Sequence, residues 1–186
     1  MRAIMMSIRP EWVAKILNKE KTIEIRRRFP KDYVGWVYIY NTKDIKDGYL
    51  TLTYFGNKLE CITAFNPHPK YRGKVVARFW CDKVEEITFY SKKPFDRYGT
   101  PYRANYDLLT EGCLEYDELD NYLNKNNGYA IHITKLEIFD KPKEISEFKS
   151  IKKNIVSTKI GSETFETELD NSLTRAPERF CYIEID

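Results

Sequence analysis

The chain has 186 residues, 42% of them hydrophobic, 15% aromatic and 32% charged, and a formal net charge of +3. That length implies one domain across residues 1–186, with enough apolar residues for a core and room for insertions. A membrane span is excluded, since no apolar run approaches the roughly 18 residues one needs, and so modest a net charge does not predict avid binding to duplex DNA.

Residues 3–8 (AIMMSI) form a short apolar run that predicts a first strand. Pro10 then opens a helix in which Trp12, Val13, Ile16 and Leu17 share one face, with Glu11 near its start and Lys15 and Lys19 near its end. From Lys21 the period changes: Ile23 and Ile25 alternate with Thr22, Glu24 and Arg26, the pattern of a strand with one apolar and one polar face. Residues 36–41 (WVYIYN) are a further strand, and 49–55 and 60–65 flank GNKL as a hairpin. The loop 66–73 precedes a long β-rich stretch, 74–90, that reads as one bent strand or two, and 91–107 is an irregular basic loop. A short helix over 114–124, a strand over 128–140, a loop or helical turn at 141–149, a polar insertion at 151–172 with a hairpin around Gly161, and a last strand at 179–185 complete the chain. Strands outnumber helices without regular alternation, so the expected class is α+β, a small mixed β-barrel with two or more short helices on its rim.

The charge is unevenly spread. Residues 1–35 and 66–105 each hold nine Lys/Arg against four Asp/Glu, whereas 106–127 hold one against six. Two basic segments sharing one face would attract a polyanion, with the acidic segment lying elsewhere. The four cysteines are far apart and form no C-x-x-C, and the two histidines, His68 and His132, are distant in sequence, so neither a metal nor a cofactor is expected. The first residues lack a signal-peptide pattern, which with unpaired cysteines points to a cytoplasmic protein. Phosphate-loop, dinucleotide, zincin and nucleophile-elbow motifs are absent from the sequence.

The informative stretch is strand, helix, strand. Thr22, Glu24 and Arg26 project to one side of a strand, Lys21 enters from the turn before it, and Ser7 and Arg9 leave the preceding strand nearby. Such a set gathers an amine, a carboxylate, a guanidinium and hydroxyls, which suits a phosphate or a base edge. On spacing alone the commoner reading is a Glu–Arg cross-strand pair that merely solvates a sheet face. Tyr38 and Tyr40, or Phe95, Tyr98 and Tyr102, are candidates for stacking on bases, although packing is the usual role of such rings. Arg175 reads either as a cleft residue opposite Lys21 or as a loop anchor, and His132 as a core histidine before a catalyst.

The run MSIRPEWVAKILNKEKTIEIR resembles the opening of ASCH-domain proteins, in a form found in phage and prophage genomes. It matches S-I-x-P-x-x-x-x-x-I-L-x-G-x-K-T-x-E-x-R at Ser7, Ile8, Pro10, Ile16, Leu17, Lys21, Thr22, Glu24 and Arg26, and residues 73–79, 128–148 and 173–185 look similar to the same group. The resemblance implies a PUA-like barrel that binds RNA or a nucleotide or nucleoside, with Ser7, Arg9, Lys21, Thr22, Glu24, Arg26, Tyr40 and Arg175 as candidate contacts. It leaves a second reading, an enzyme on the same ligand class. Some small relatives deacetylate N4-acetylcytidine with a K-x-x-T pattern, of which only Lys21 carries over, because Glu24 stands at the threonine position. Others are described as ribonucleases. Lys21 and Glu24 are the catalytic candidates in that case. A third reading is a phage accessory protein that binds a host protein through the stretches 42–72 and 151–172, which look like insertions. Lys19 replaces the usual turn glycine, which implies a turn of different shape.

Overall fold

The computed structural model describes residues 1–43, 49–64, 70–89, 102–103, 107–152, 155–160, 163–168 and 170–185. These hold thirteen strands, three α-helices and one 3-10 turn. β1 (Arg2–Ile8), β3 (Gly35–Asn41), β6 (Val75–Cys81), β10 (Thr134–Lys143) and β13 (Phe180–Glu184) make a five-stranded sheet in the order β10-β6-β3-β1-β13. It is mixed: β1 runs parallel to β3, whereas its other neighbours pair antiparallel. A second, antiparallel sheet has the order β2-β9-β7-β8, from β2 (Ile23–Arg26), β7 (Val84–Phe89), β8 (Tyr102–Arg103) and β9 (Gly128–His132).

The two predicted hairpins form, as β4 (Tyr49–Phe55) with β5 (Lys58–Ala64) and β11 (Ile155–Ile160) with β12 (Glu163–Glu168). The stretch 74–90 divides into β6 and β7. The expected single strand over 128–140 also divides, with β9 in one sheet and β10 in the other. The class is α+β, and the strand pairings among the described residues make two larger sheets and two hairpins. The helices among the described residues are α1 (Pro10–Leu17), the short α2 (Leu108–Gly112), and α3 (Tyr116–Leu123). None is long and apolar enough to cross a membrane.

Apolar sequence explains why the first sheet is covered on both faces. On one side Ile4, Met6 and Ile8 of β1 and Val37 and Ile39 of β3 meet Val13, Ile16 and Leu17 of α1. Burial of each such α1 side chain contributes about 1.5–3 kcal/mol. On the other side Ala3, Met5, Tyr38, Tyr40 and Val75 pack with Phe148 and Ile183. The second sheet has its own cluster, in which Ile23, Ile25, Ile87 and Ala130 are capped by Leu108 of α2 and Leu119 and Leu123 of α3.

The turn out of α1 sets the position of β2. Asn18 caps the helix, the Lys19 N–H donates to the Ile16 carbonyl and the Glu20 N–H to the Lys15 carbonyl, both at 2.9 Å. This is a Schellman closure, which needs a left-handed residue after the cap. Lys19 supplies it with φ 62. The turn therefore has the shape a glycine would give, contrary to expectation, with a lysine in the strained conformation.

Candidate functional site

Alternation along β2 separates its side chains. Ile23 and Ile25 enter the α2–α3 core, which leaves Glu24 and Arg26 for the opposite face. That face meets the end of β1 and the first turns of α1 across a cavity of about 720 Å³, closed on its far side by α3 and by Glu178. Lys21, delivered by the α1–β2 turn, reaches the same cavity.

Lys21 and Glu24 are both buried, at 3% and 5% exposure. The Lys21 Nζ donates to the Gly112 carbonyl at 2.5 Å and lies 3.7 Å from Glu24 Oε2. Arg26 closes the set, with an amino nitrogen 3.0 Å from Glu24 Oε1 that also donates to the Ser7 carbonyl at 2.7 Å. One carboxylate thus lies between two cations. Burial pushes the Lys21 amine below its ordinary pKa, and the Glu24 carboxylate opposes that shift.

Trp12 supplies an aromatic wall. The Lys15 and Lys21 ammonium groups lie 4.7 and 5.2 Å from its ring centroid, within cation–π range. Lys15 also donates to the Cys113 carbonyl at 3.2 Å. Three residues that line this cavity each hold a polar atom that is buried away from its open space and has no hydrogen-bond partner in the protein: Glu11 Oε2, Arg26 Nε and Thr42 Oγ1. Orphaned buried polar atoms are uncommon and costly.

The charge of the cleft differs from the expectation of a basic hollow. Arg9, Lys15, Lys21 and Arg26 face Glu11, Glu24, Glu118 and Glu178, so the lining is balanced. The acidic segment expected elsewhere forms one wall, through Glu118 of α3.

The structure brings Ser7, Arg9, Lys21, Glu24 and Arg26 together. The Ser7 hydroxyl donates to the Pro177 carbonyl at 2.6 Å, and Arg9 pairs loosely with Glu11 at 3.9 Å. Three other candidates lie apart. Thr22 is exposed and outside the cleft, because the chain joins β2 only at Ile23 and strand alternation does not yet govern it. Tyr40 is buried in the core beneath the opposite face of the sheet, as is Tyr38. Arg175 is exposed on the loop before β13, and Glu178 of that loop reaches the cleft instead. Phe95 and Tyr98 lie outside the described residues, as does the side chain of Tyr102.

Sequence reasoning missed Glu11, Trp12, Lys15, Thr42, Glu118, Asn121 and Tyr122 as cleft residues. Trp12 was expected on the apolar face of α1, and Val13, Ile16 and Leu17 are indeed buried there while Trp12 is half-buried at the cleft. The available signal was the spacing of Glu11 and Lys15, which puts two charges on the helix flank beside that ring. Among the described residues no group of three or more His, Cys, Asp or Glu side chains is placed to hold a metal. Cys81, Cys113 and Cys181 are free thiols.

No family model matches the chain, and no curated protein matches it. Among solved structures it is similar to the crystal structure of ASCH from Zymomonas mobilis, at 16% identity over 77% of this chain and 73% of that one, with a TM-score of 0.47. Two mutant forms of the same protein give similar values, at 16% and 17% identity with TM-scores of 0.47 and 0.46; they cover 77% and 76% of this chain, and 76% and 73% of theirs.

Proposed function

We propose that this chain is an ASCH-type, PUA-like domain that binds RNA by taking up a single nucleotide unit in the cleft between β1, α1, β2 and α3. The observation that carries the reading is the cluster of Lys21, Glu24 and Arg26, held together at a cavity that Trp12 and Tyr122 also line. A nucleobase edge offers donors and acceptors side by side and suits a lining of carboxylates and cations, while Trp12 and Tyr122 supply aromatic walls for its rings. A volume of about 720 Å³ and a balanced lining suit one enclosed unit rather than a long polyanion track.

Trp12 is the tryptophan of the cleft, so its fluorescence is the test. Titration with the four ribonucleoside monophosphates should give a saturable signal with at least one of them, abolished in Trp12→Phe. Arg26→Lys should weaken binding by about tenfold or more, because it removes the planar fork. No saturable response with any nucleotide or with short RNA would dispose of the reading.

One observation favours a second reading, an enzyme on the same ligand class. Lys21 is buried, its pKa is lowered, and it lies 3.7 Å from Glu24. An amine held this way suits a nucleophile or base, with Glu24 carrying the proton. Ser7 and Thr42 line the cleft, whereas Thr22 does not. Incubation with N4-acetylcytidine and with labelled single-stranded RNA tests this, and turnover that survives in Lys21→Ala would remove Lys21 from the role.

A further inference from the structure

Beside the first cleft lies a second cavity of about 640 Å³, lined by Arg27, Arg28, Lys125, Asn126, Asn127 and Arg179. Its lining holds four cations and no carboxylate, the opposite of the balanced cleft next to it. Among the described residues none forms an ion pair with Arg27, Arg28 or Arg179. Like charges gathered without counter-charges repel one another, and an anion relieves that repulsion.

The two cavities are joined through the chain itself. Arg26 lines the first and Arg27 the second, and Glu178 lines the first and Arg179 the second. Successive Cα atoms are about 3.8 Å apart, so the backbones of the two linings adjoin. Tyr122 links the two linings: it lines the first cleft, its carbonyl accepts a hydrogen bond from Arg27 Nε, and the Arg27 guanidinium lies 5.2 Å from its ring centroid.

The floor of the second cavity is fixed. Asn124 and Lys125 adopt φ 50 and φ 56, which folds the chain back after α3. Asn126 Nδ2 holds the Asn124 carbonyl at 2.7 Å, and Asn127 Nδ2 donates to Glu86 Oε1 at 2.9 Å while its Oδ1 accepts from the Phe89 N–H at 3.0 Å. The asparagines therefore brace the loop, and the arginines and the lysine present the charge.

We propose that this second cavity is a phosphodiester subsite for the strand whose nucleotide enters the first cleft, so that the ligand is a single-stranded oligonucleotide rather than a free nucleoside. The inference rests on the nucleotide reading of the first cleft and extends it. Three of the four cations are arginines, whose planar forks suit phosphate oxygens, and an aromatic ring that links the two linings is what a base followed by its own backbone requires.

The test compares cytidine and the other nucleosides with a tetranucleotide and with poly-glutamate, in wild type and in an R28A/R179A variant, across a salt series. Arg28 and Arg179 are exposed, so the variant should fold, as circular dichroism checks. The expected result is tetranucleotide binding weakened at least tenfold, with the slope of log affinity against log salt reduced by about 1.4, for two phosphate contacts on a single strand. Nucleoside binding should not change. Unchanged tetranucleotide affinity and slope in the variant would overturn the subsite while leaving nucleoside binding to the first cleft standing. Absent nucleoside binding with tetranucleotide binding still lost in R28A/R179A would support the subsite and count against the first cleft. Poly-glutamate binding as tightly as the tetranucleotide would overturn the assignment to nucleic acid.

Discussion

At the scale of single residues the decisive feature is the placement of Glu24 between two buried cations. The Lys21 and Arg26 side chains are 2% and 15% exposed, so removing the carboxylate leaves positive charges with little water to screen them. Glu24→Ala should lower stability by about 3–5 kcal/mol, the cost of breaking a buried pair on one side. The triple variant Lys21→Met/Glu24→Leu/Arg26→Met removes all the charges together and should recover most of that loss, while abolishing ligand binding. Urea unfolding midpoints measure the first effect and Trp12 fluorescence the second. If the triple variant is no more stable than Glu24→Ala, the charges are not what the single substitution disturbs. The cluster was legible because K-T-x-E-x-R spells it out. Its depth was not, because residue spacing carries no information about what covers a strand.

At the scale of elements, the turn after α1 shows how local geometry is kept when the usual residue is changed. Lys19 holds φ 62 within a Schellman closure, and its side chain is exposed. Lys19→Gly should therefore stabilise the fold by about 0.5–1 kcal/mol without altering the cleft, since relief of left-handed strain exceeds the added entropy of the unfolded chain. An unfolding midpoint at or below that of wild type would show that the turn is not strained. Asn18 in the same turn clamps the β4–β5 hairpin: Nδ2 donates to the Leu59 carbonyl at 2.6 Å, and Oδ1 accepts from the Leu59 N–H at 3.0 Å. Asn18→Ala should cost about 1–3 kcal/mol through the backbone groups it leaves unpaired, and should speed hydrogen exchange at Leu59. Most strands and hairpins were legible from alternation and turn residues. The division of 128–140 was not. No glycine or proline marks Ile133, yet β9 pairs with β2 and β7 whereas β10 pairs with β6. Period-2 patterning says which face a side chain takes but not which neighbour the backbone chooses. The short α2 escaped for a related reason: five residues are too few to show a helical period.

Across the whole molecule, stability at alkaline pH is set by groups buried where strands and connecting loops meet in the main core. Burial pushes the Tyr33 phenol up to about 12 and the Cys81 thiol up to about 11, from ordinary values of 10.0 and 9.0. Both protonated groups are engaged: the Tyr33 hydroxyl donates to the Trp36 carbonyl at 2.6 Å, and Cys81 Sγ donates to the Lys83 carbonyl at 3.4 Å. In the window between the two sets of values the folded chain keeps protons that the unfolded chain has released. The stabilisation these groups give is therefore complete below about pH 9 and is lost as pH rises towards 12. Lys21 works in the opposite direction. Its folded pKa lies below 10.5, so the unfolded chain binds the extra proton and stability rises with pH up to that value. The two trends oppose each other between pH 9 and 10.5, and above 10.5 only the loss remains. Urea midpoints should thus rise with pH up to about 9 and fall above 10.5. Cys81→Ala and Tyr33→Phe, though less stable at neutral pH, should each show a shallower alkaline fall, and Lys21→Met an earlier one. A wild-type midpoint that stays level to pH 12 would mean that neither buried acid is linked to folding, and that the core beneath the cleft opens to solvent before it titrates.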